Sequence, residues 1–372
     1  MAARGIKEIG CTRPKRLDPA LAARLLANQQ AAARRAVRAH TTDATISPDT
    51  STGPSTTPVP DWCALDGNLA YTRNEVCGIL SGTWFAWDSK GNVIGTIEYN
   101  YITDSYSEPK LTNWAHQLII DPTAFSGIGA DGAWTVIGKA TCDAHCATTN
   151  YTFPKQPVVL RQEENATSFY TTTGTARGDV AHSTTTWDWE FDHVGQAVAK
   201  QAEVTTLTIR CDNALPGSTK PGCVFPEYIP YIQYSLTGAY PQLAKHIKGA
   251  QASGLRGAYN SGTYLTRLTD STLVTKNGTT SCKVSYPRPT GKSCDEYPFR
   301  STHQGAYTAG GSPRTQSWCS IVGVSTTATG STGYSVCMID ATQNSGGGTE
   351  LGNFYYNWRV IESDRFQVWI TS

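Results

Sequence analysis

Apolar and polar residues alternate with a period of two, the mark of half-buried strands, in several short stretches in the middle of the chain. The pattern runs through residues 83–87, through 93–102 after a Gly91-Asn92 turn signal, and through 134–140. Residues 157–160, 168–173, 184–191 and 203–210 read as further strands, with turn residues between them at fairly regular spacing. Short strands punctuated in this way predict an all-β unit, a β-sandwich, over residues 62–230. Within it the run T-T-W-D-W-E-F at 185–191 puts Trp187 and Trp189 on one strand face and Asp188 and Glu190 on the other. Trp84, Trp87, Trp134, Trp187 and Trp189 are expected to fill an aromatic core or to form one exposed stripe that could stack on sugars. His116, His145, His182 and His193 fall at no catalytic spacing and are expected on loops or the surface.

Both ends follow another period. Residues 17–38 open with Asp18 and Pro19 and carry a weak apolar stripe at Leu21, Leu25, Leu26 and Ala32, predicting a short helix in a basic arm or pro-segment over residues 1–40. Residues 41–61 are rich in Ser, Thr and Pro and read as a disordered linker. Past a boundary at 225–236, Leu243, Ile247 and Ala250 recur at i, i+4 and i+7, which predicts a helix over 239–254 that starts at Pro241 and stops at Gly254. His246 borders its apolar face. The rest of the last domain, residues 236–372, reads as a loop around Asn277-Gly278, strands over 316–324, 334–339 and 365–370, and a glycine-rich turn at 344–353 leading into a helix from Leu351.

Composition moves this picture out of the cytosol. Charged residues make up only 16% of the chain, against an abundance of Gly, Ser, Thr, Asn and Tyr. Of the 11 cysteines, leaving Cys11 aside, six precede residue 236 and four follow it, so disulfides closing within each domain are expected. Cys142 and Cys146 flank His145 at a spacing roughly suited to zinc, but no second pair follows and a local disulfide is the better reading. No run of 18 apolar residues exists, which excludes a helical membrane span. An uninterrupted apolar stretch near residue 1 is also missing, although the composition favours a secreted, extracellular protein.

Charge is divided. Residues 1–40 hold nine Lys or Arg against two acids, residues 236–372 hold twelve against seven, and residues 41–235 carry a net charge of −11. A basic end of this kind suits a polyanion.

The densest chemistry lies at residues 294–305, C-D-E-Y-P-F-R-S-T-H-Q-G, which places Asp295, Glu296 and His303 within one compact turn or short helix. Phosphodiester hydrolysis needs a base to activate water and positive charge to face the developing oxyanion. Carboxylate and amide oxygens hold hard divalent ions, and an imidazole with an ordinary pKa of about 6.5 can accept a proton at neutral pH.

Three segments in order, A-Y-P-Q-L-A-K-H-I-K-G-A-Q-A-S-G at 239–254, C-D-E-Y-P-F-R-S-T-H-Q-G-A at 294–306 and N-S-G-G-G-T-E-L-G-N at 344–353, resemble the NucA/NucB-type secreted bacterial deoxyribonucleases. The resemblance covers residues 236–372. It implies an α+β nuclease domain, preceded here by the all-β domain, that cuts DNA with little sequence preference and needs a divalent metal ion, Mg, Mn or Ca. Asp295 and Glu296 match the family's Asp-Glu-Trp/Tyr-Pro motif and Asn344 its Asn and glycine segment, so these three are the expected metal ligands. The chain departs from the pattern at His303 and Gln304, where two acids are expected, while Gly305 is kept. His303 is therefore expected to act as general base, with His246 and Arg267 orienting the phosphate. A monomer acting on DNA is expected, with RNA left open as a substrate. The competing readings are an extracellular carbohydrate- or surface-binding protein, and a delivered nuclease toxin whose acidic middle masks its basic end.

Overall fold

In the computed structural model the described residues are 8–11, 63, 68–194, 198 and 201–372. The helix expected at 17–38 and the linker at 41–61 lie outside them. The chain divides into two compact units, one reaching Asn213 and including Lys220–Tyr228, the other made of Ala214–Thr219 and Ile229–Ser372.

The first unit is mostly β. Its main strands are β1 (Glu75–Trp87), β2 (Val93–Ser107), β3 (Asn113–Gly127), β4 (Trp134–Cys142), β5 (Glu164–Thr172) and β6 (Thr185–His193). One seven-stranded sheet runs in the order Glu8–Cys11, β1, β2, β3, β5, Cys146–Thr149, with Ala70–Tyr71 also paired to β1. A four-stranded sheet runs Ala202–Thr205, β6, β4, Thr152–Pro157. Their inner faces meet through aromatic rings: Trp84 lies 5.6 Å from Phe191 and Tyr101 5.0 Å from Trp189, centroid to centroid. Trp187 and Trp189 are fully buried, so the alternation at 185–191 marks core and not a sugar-stacking stripe; Asp188 and Glu190 are half-buried on the opposite face and Trp87 is also half-buried.

His116 departs from the surface position expected of it. It is fully buried in β3, with Nε2 2.8 Å from Thr103 Oγ1 and Nδ1 3.1 Å from Thr185 Oγ1. The near-continuous burial of residues 114–122 explains the error, because a strand covered on both faces loses its alternation. The strand expected at 157–160 instead ends at Pro157, and its prolines are tolerated because it is an edge strand. Disulfides Cys63–Cys77, Cys142–Cys146 and Cys211–Cys223 close within this unit.

The second unit is α+β. Its elements are β7 (Tyr231–Ser235), α1 (Pro241–Ala252), β8 (Leu265–Thr266), α2 (Ser271–Ser281), β9 (Lys292–Tyr297), β10 (Tyr334–Asp340), α3 (Ala341–Asn357) and β11 (Arg365–Thr371). β11 pairs in parallel with β7 and antiparallel with β8. β9 pairs antiparallel with β10, whose other side takes the short strand Pro313–Arg314. Leu243, Ile247, Tyr297, Phe354, Phe366 and Val368 belong to the core these elements share. Disulfides Cys282–Cys294 and Cys319–Cys337 lie wholly within it.

Several expectations for this unit are corrected. Asn277-Gly278 lies inside α2, which opens where Asp270 Oδ1 accepts the Leu273 N–H at 2.9 Å. Residues 316–324 form a 3-10 turn and bends tied to β10 through Cys319–Cys337. The motif at 294–305 begins as a strand and not as a turn or helix. The glycine run at 344–353 is helical throughout: Asp340 caps α3 by accepting from the N–H groups of Thr342 and Gln343, and glycine is required because a Cβ at 346 would strike Tyr240 and one at 347 would strike Leu243. The helix on 241–252 stands where periodicity placed it, and Gly254 at φ 99° ends it.

Candidate active site

β9 forms the edge of its sheet, with β10 on one side only. A cleft of about 930 Å³ is lined by Cys294, Asp295 and Glu296, residues of both strand parities, so it runs along the free edge of β9. Asn344 and Arg267 also line it. Five side chains bear on the chemistry: Asp295 and Glu296 on β9, His246 on α1, Asn344 on α3 and Arg267 just after β8.

Asp295 is buried and lies opposite Cys337 in the β9–β10 register, which puts Ser335, two residues earlier, on the same sheet face. His246, projecting from the buried side of α1, spans that face. Its Nδ1 lies 2.5 Å from Asp295 Oδ2 and its Nε2 2.9 Å from Ser335 Oγ. The ring is 0% exposed. Both nitrogens are thus engaged and the imidazole is sealed away from the cleft, so His246 can orient a carboxylate but cannot touch a phosphate.

Glu296 points to the other face of β9 and is half-buried. Burial, followed by the neighbouring Asp295 carboxylate, pushes its pKa up to about 8, with Arg300 and its backbone N–H opposing. Asn344, in the second turn of α3, donates both amide hydrogens to the β9 segment, to Ser293 Oγ and to the Cys294 carbonyl, each at 3.0 Å. Its oxygen is left as the atom able to ligate. Arg267 is half-buried, stands 3.9 Å above the Tyr355 ring, and donates to the carbonyls of Leu268 and Ser301. Its buried Nε has no hydrogen-bond partner among the described residues.

His303 is not brought to the cleft. Its Nε2 lies 2.6 Å from Glu362 Oε1, and the two side chains are 39% and 45% exposed. Gln304 beside it accepts the Thr266 N–H at 2.7 Å and donates to Thr266 Oγ1 at 3.2 Å. The two positions where the family resemblance leads one to expect acids therefore tie the loop after β9 to its neighbours.

Two supporting residues escaped sequence reasoning. Ser335 had no signal beyond its place on an apolar strand. Asn277, fully buried, donates to the carbonyls of Arg300 and Thr302 and accepts the N–H groups of Tyr307 and Thr308, pinning the loop that follows the motif. A Cβ at Gly305 would collide with that carboxamide, which accounts for the glycine there. The N-cap at Asp270 was the signal that could have turned Asn277-Gly278 from a loop into a helix.

No group of three or more His, Cys, Asp or Glu side chains suited to a metal comes together among the described residues. What the cleft offers is oxygen: two adjacent carboxylates and an amide. That set fits a hard divalent ion that keeps several of its waters, and it does not fit zinc or another soft metal.

No curated protein matches the chain. Residues 270–369 match the family model described as deoxyribonuclease NucA/NucB, a stretch that holds Asp295, Glu296, His303 and Asn344 and begins after His246 and Arg267. The second unit therefore carries a NucA/NucB-type nuclease domain at the C-terminus of the chain.

Proposed function

We propose that the protein is a secreted, divalent-metal-dependent endodeoxyribonuclease, with residues 236–372 as its nuclease domain and residues 62–230 as an accessory domain. The observation that carries the reading is the buried Asp295–His246–Ser335 chain set behind a carboxylate- and arginine-lined cleft in a nuclease-family domain. His246 holds Oδ2 of Asp295, which leaves Oδ1 to accept a proton from the water that attacks phosphorus. Holding the carboxylate in one orientation removes the reorganisation that a free side chain would need at that moment. Arg267 supplies positive charge to the non-bridging phosphate oxygens. Glu296 and Asn344 would hold the divalent cation beside Asp295, and when bound it would contribute charge that stabilises the phosphorane. His303 has no part in proton transfer in this reading. Disulfides closed within each unit suit an oxidising extracellular setting.

The test is nicking of supercoiled plasmid by the full chain, with RNA run in parallel. EDTA should abolish nicking and added Mg²⁺, Mn²⁺ or Ca²⁺ restore it, while Asp295→Asn should lower the rate by roughly 10²–10⁴-fold. Nicking that persists in EDTA, or at full rate in Asp295→Asn, overturns the proposal.

A further inference from the structure

The face of α1 turned away from His246 carries Lys245 and Lys248, both exposed. Together with Lys292, the exposed first residue of β9, they line a second hollow of about 610 Å³. None of the three forms an ion pair with a carboxylate among the described residues. The nearest acid by register is Asp340, cross-strand from Lys292, and its Oδ1 is occupied in capping α3.

Trp318 forms the floor of this hollow and fixes it. Its indole N–H donates to Gln316 Oε1 at 2.8 Å, and Gln316 Nε2 donates to the His246 carbonyl at 2.7 Å, so the indole is fastened to α1. Gly249 makes room for Gln316, whose amide a Cβ at that position would strike. Lys245 then stands 4.6 Å over the indole, which restrains an otherwise mobile side chain and reduces the entropy lost when it meets an anion.

Three exposed lysines without an ion-pair partner among the described residues, gathered around one hollow of a nuclease-family domain, suit a polyanion, and a polynucleotide backbone is one. Lys292 precedes Asp295 by three residues on an extended strand, a distance of about 10 Å, which a DNA strand covers in a few nucleotides. Resting on the nuclease reading above, we infer that Lys245, Lys248 and Lys292, braced by Trp318, form a phosphate-binding track that holds DNA beside the cleft. The track positions the duplex and takes no part in bond cleavage. Its ligand is the sugar–phosphate backbone, so it confers affinity without sequence preference.

The test uses the full chain and a 30-base-pair duplex in EDTA, measuring affinity across a KCl series. The triple variant Lys245→Gln, Lys248→Gln, Lys292→Gln should lower the slope of log K against log[KCl] by about 2.7, at about 0.9 per lysine. Each single variant should lower it by about 0.9. With metal present, the triple variant should raise KM for long DNA and leave hydrolysis of bis(p-nitrophenyl) phosphate, too small to reach the lysines, at the wild-type rate. All three side chains are exposed, and circular dichroism and the melting temperature report whether the fold is intact. A wild-type chain that cuts DNA beside a triple variant with an unchanged salt slope overturns this inference alone. A wild-type chain that neither binds nor cuts DNA overturns the nuclease reading together with it.

Discussion

Two histidines of the second unit separate cleanly by their surroundings. His246 is enclosed with both nitrogens bonded, whereas His303 pairs with Glu362 in the open. An exposed pair contributes at most about 1 kcal/mol, so His303→Ala should change plasmid nicking by less than about fivefold. Removing a bond to a buried carboxylate costs about 1.5–3 kcal/mol. His246→Leu should therefore cut the rate at least tenfold, and His246→Asn, whose amide can replace Nδ1, should recover part of the loss. Equal rates for the two His246 variants would mean that the Nδ1 bond to Asp295 does not matter. His116 in the first unit makes a different prediction. Burial pushes its ring down to about 3, so its contribution to stability is complete above the unfolded value of about 6.5 and is lost as pH falls toward 3, at up to about 1.4 kcal/mol per pH unit. Burial acts oppositely on Glu75, raised to about 7, whose contribution is complete below about 4.5 and is lost as pH rises through 7. Between pH 4.5 and 6.5 the two act in opposite directions, and Asp104, raised by burial and by the nearby Glu75, adds to the Glu75 side. Urea unfolding followed by tryptophan fluorescence should show His116→Gln becoming more stable relative to the wild type as pH falls across that window. A variant with the wild-type pH profile would rule out His116 as the acid-sensitive group.

At the scale of elements, glycine carries opposite meanings at neighbouring positions of α3. A side chain at Gly347 would run into Leu243 of α1, while one at Gly348 would meet open space. Gly347→Ala should destabilise the unit by about 1–3 kcal/mol through overpacking. Gly348→Ala should stabilise it by about 0.5–1 kcal/mol, because alanine loses less backbone freedom in a helix. Thermal melting of both variants checks this, and a loss at both positions would mean that α3 is not helical there. The same glycines show why part of the fold was illegible. Their run reads as a turn by local propensity, and only the close approach of α1, a tertiary fact, makes it a helix. Alternation identified the strands with one buried face, such as β6, and failed for β3, which is covered on both. In the cleft, Asp295, Glu296 and Asn344 could be named from the motifs that carry the family resemblance. The partnership of Asp295 with His246, 49 residues away, could not. It depends on which face of β9 looks toward α1, and a sequence separation of that size contains no such information. Nor could the pairing of His303 with Glu362, 59 residues away, be named, because it depends on how the chain turns after β9.

For the molecule as a whole, the uneven charge is the feature that most affects DNA binding. Residues 41–235 carry −11 and residues 236–372 carry +5, joined in one continuous chain. Covalent linkage keeps the acidic segment near the basic unit at an effective concentration in the millimolar range, whatever the geometry between them, so it is expected to compete with DNA for the same cations. Salt screens both attractions over a Debye length of about 8 Å at physiological ionic strength. The competition should therefore be strongest at low salt, where DNA binding is also strongest, and should vanish at high salt. The full chain is then expected to bind duplex DNA more weakly than residues 229–372 alone at 50 mM KCl, with a shallower dependence of log K on log[KCl] and convergence of the two curves above about 0.5 M. Formation of the Cys282–Cys294 and Cys319–Cys337 disulfides and a cooperative melt would establish that the shorter chain is folded before the comparison is made. Coincident curves at every salt concentration would show that the acidic segment does not restrain the nuclease domain. Curves that differ as expected would make proteolytic separation of the two units an activating step, which a rise in nicking rate on limited digestion would report directly.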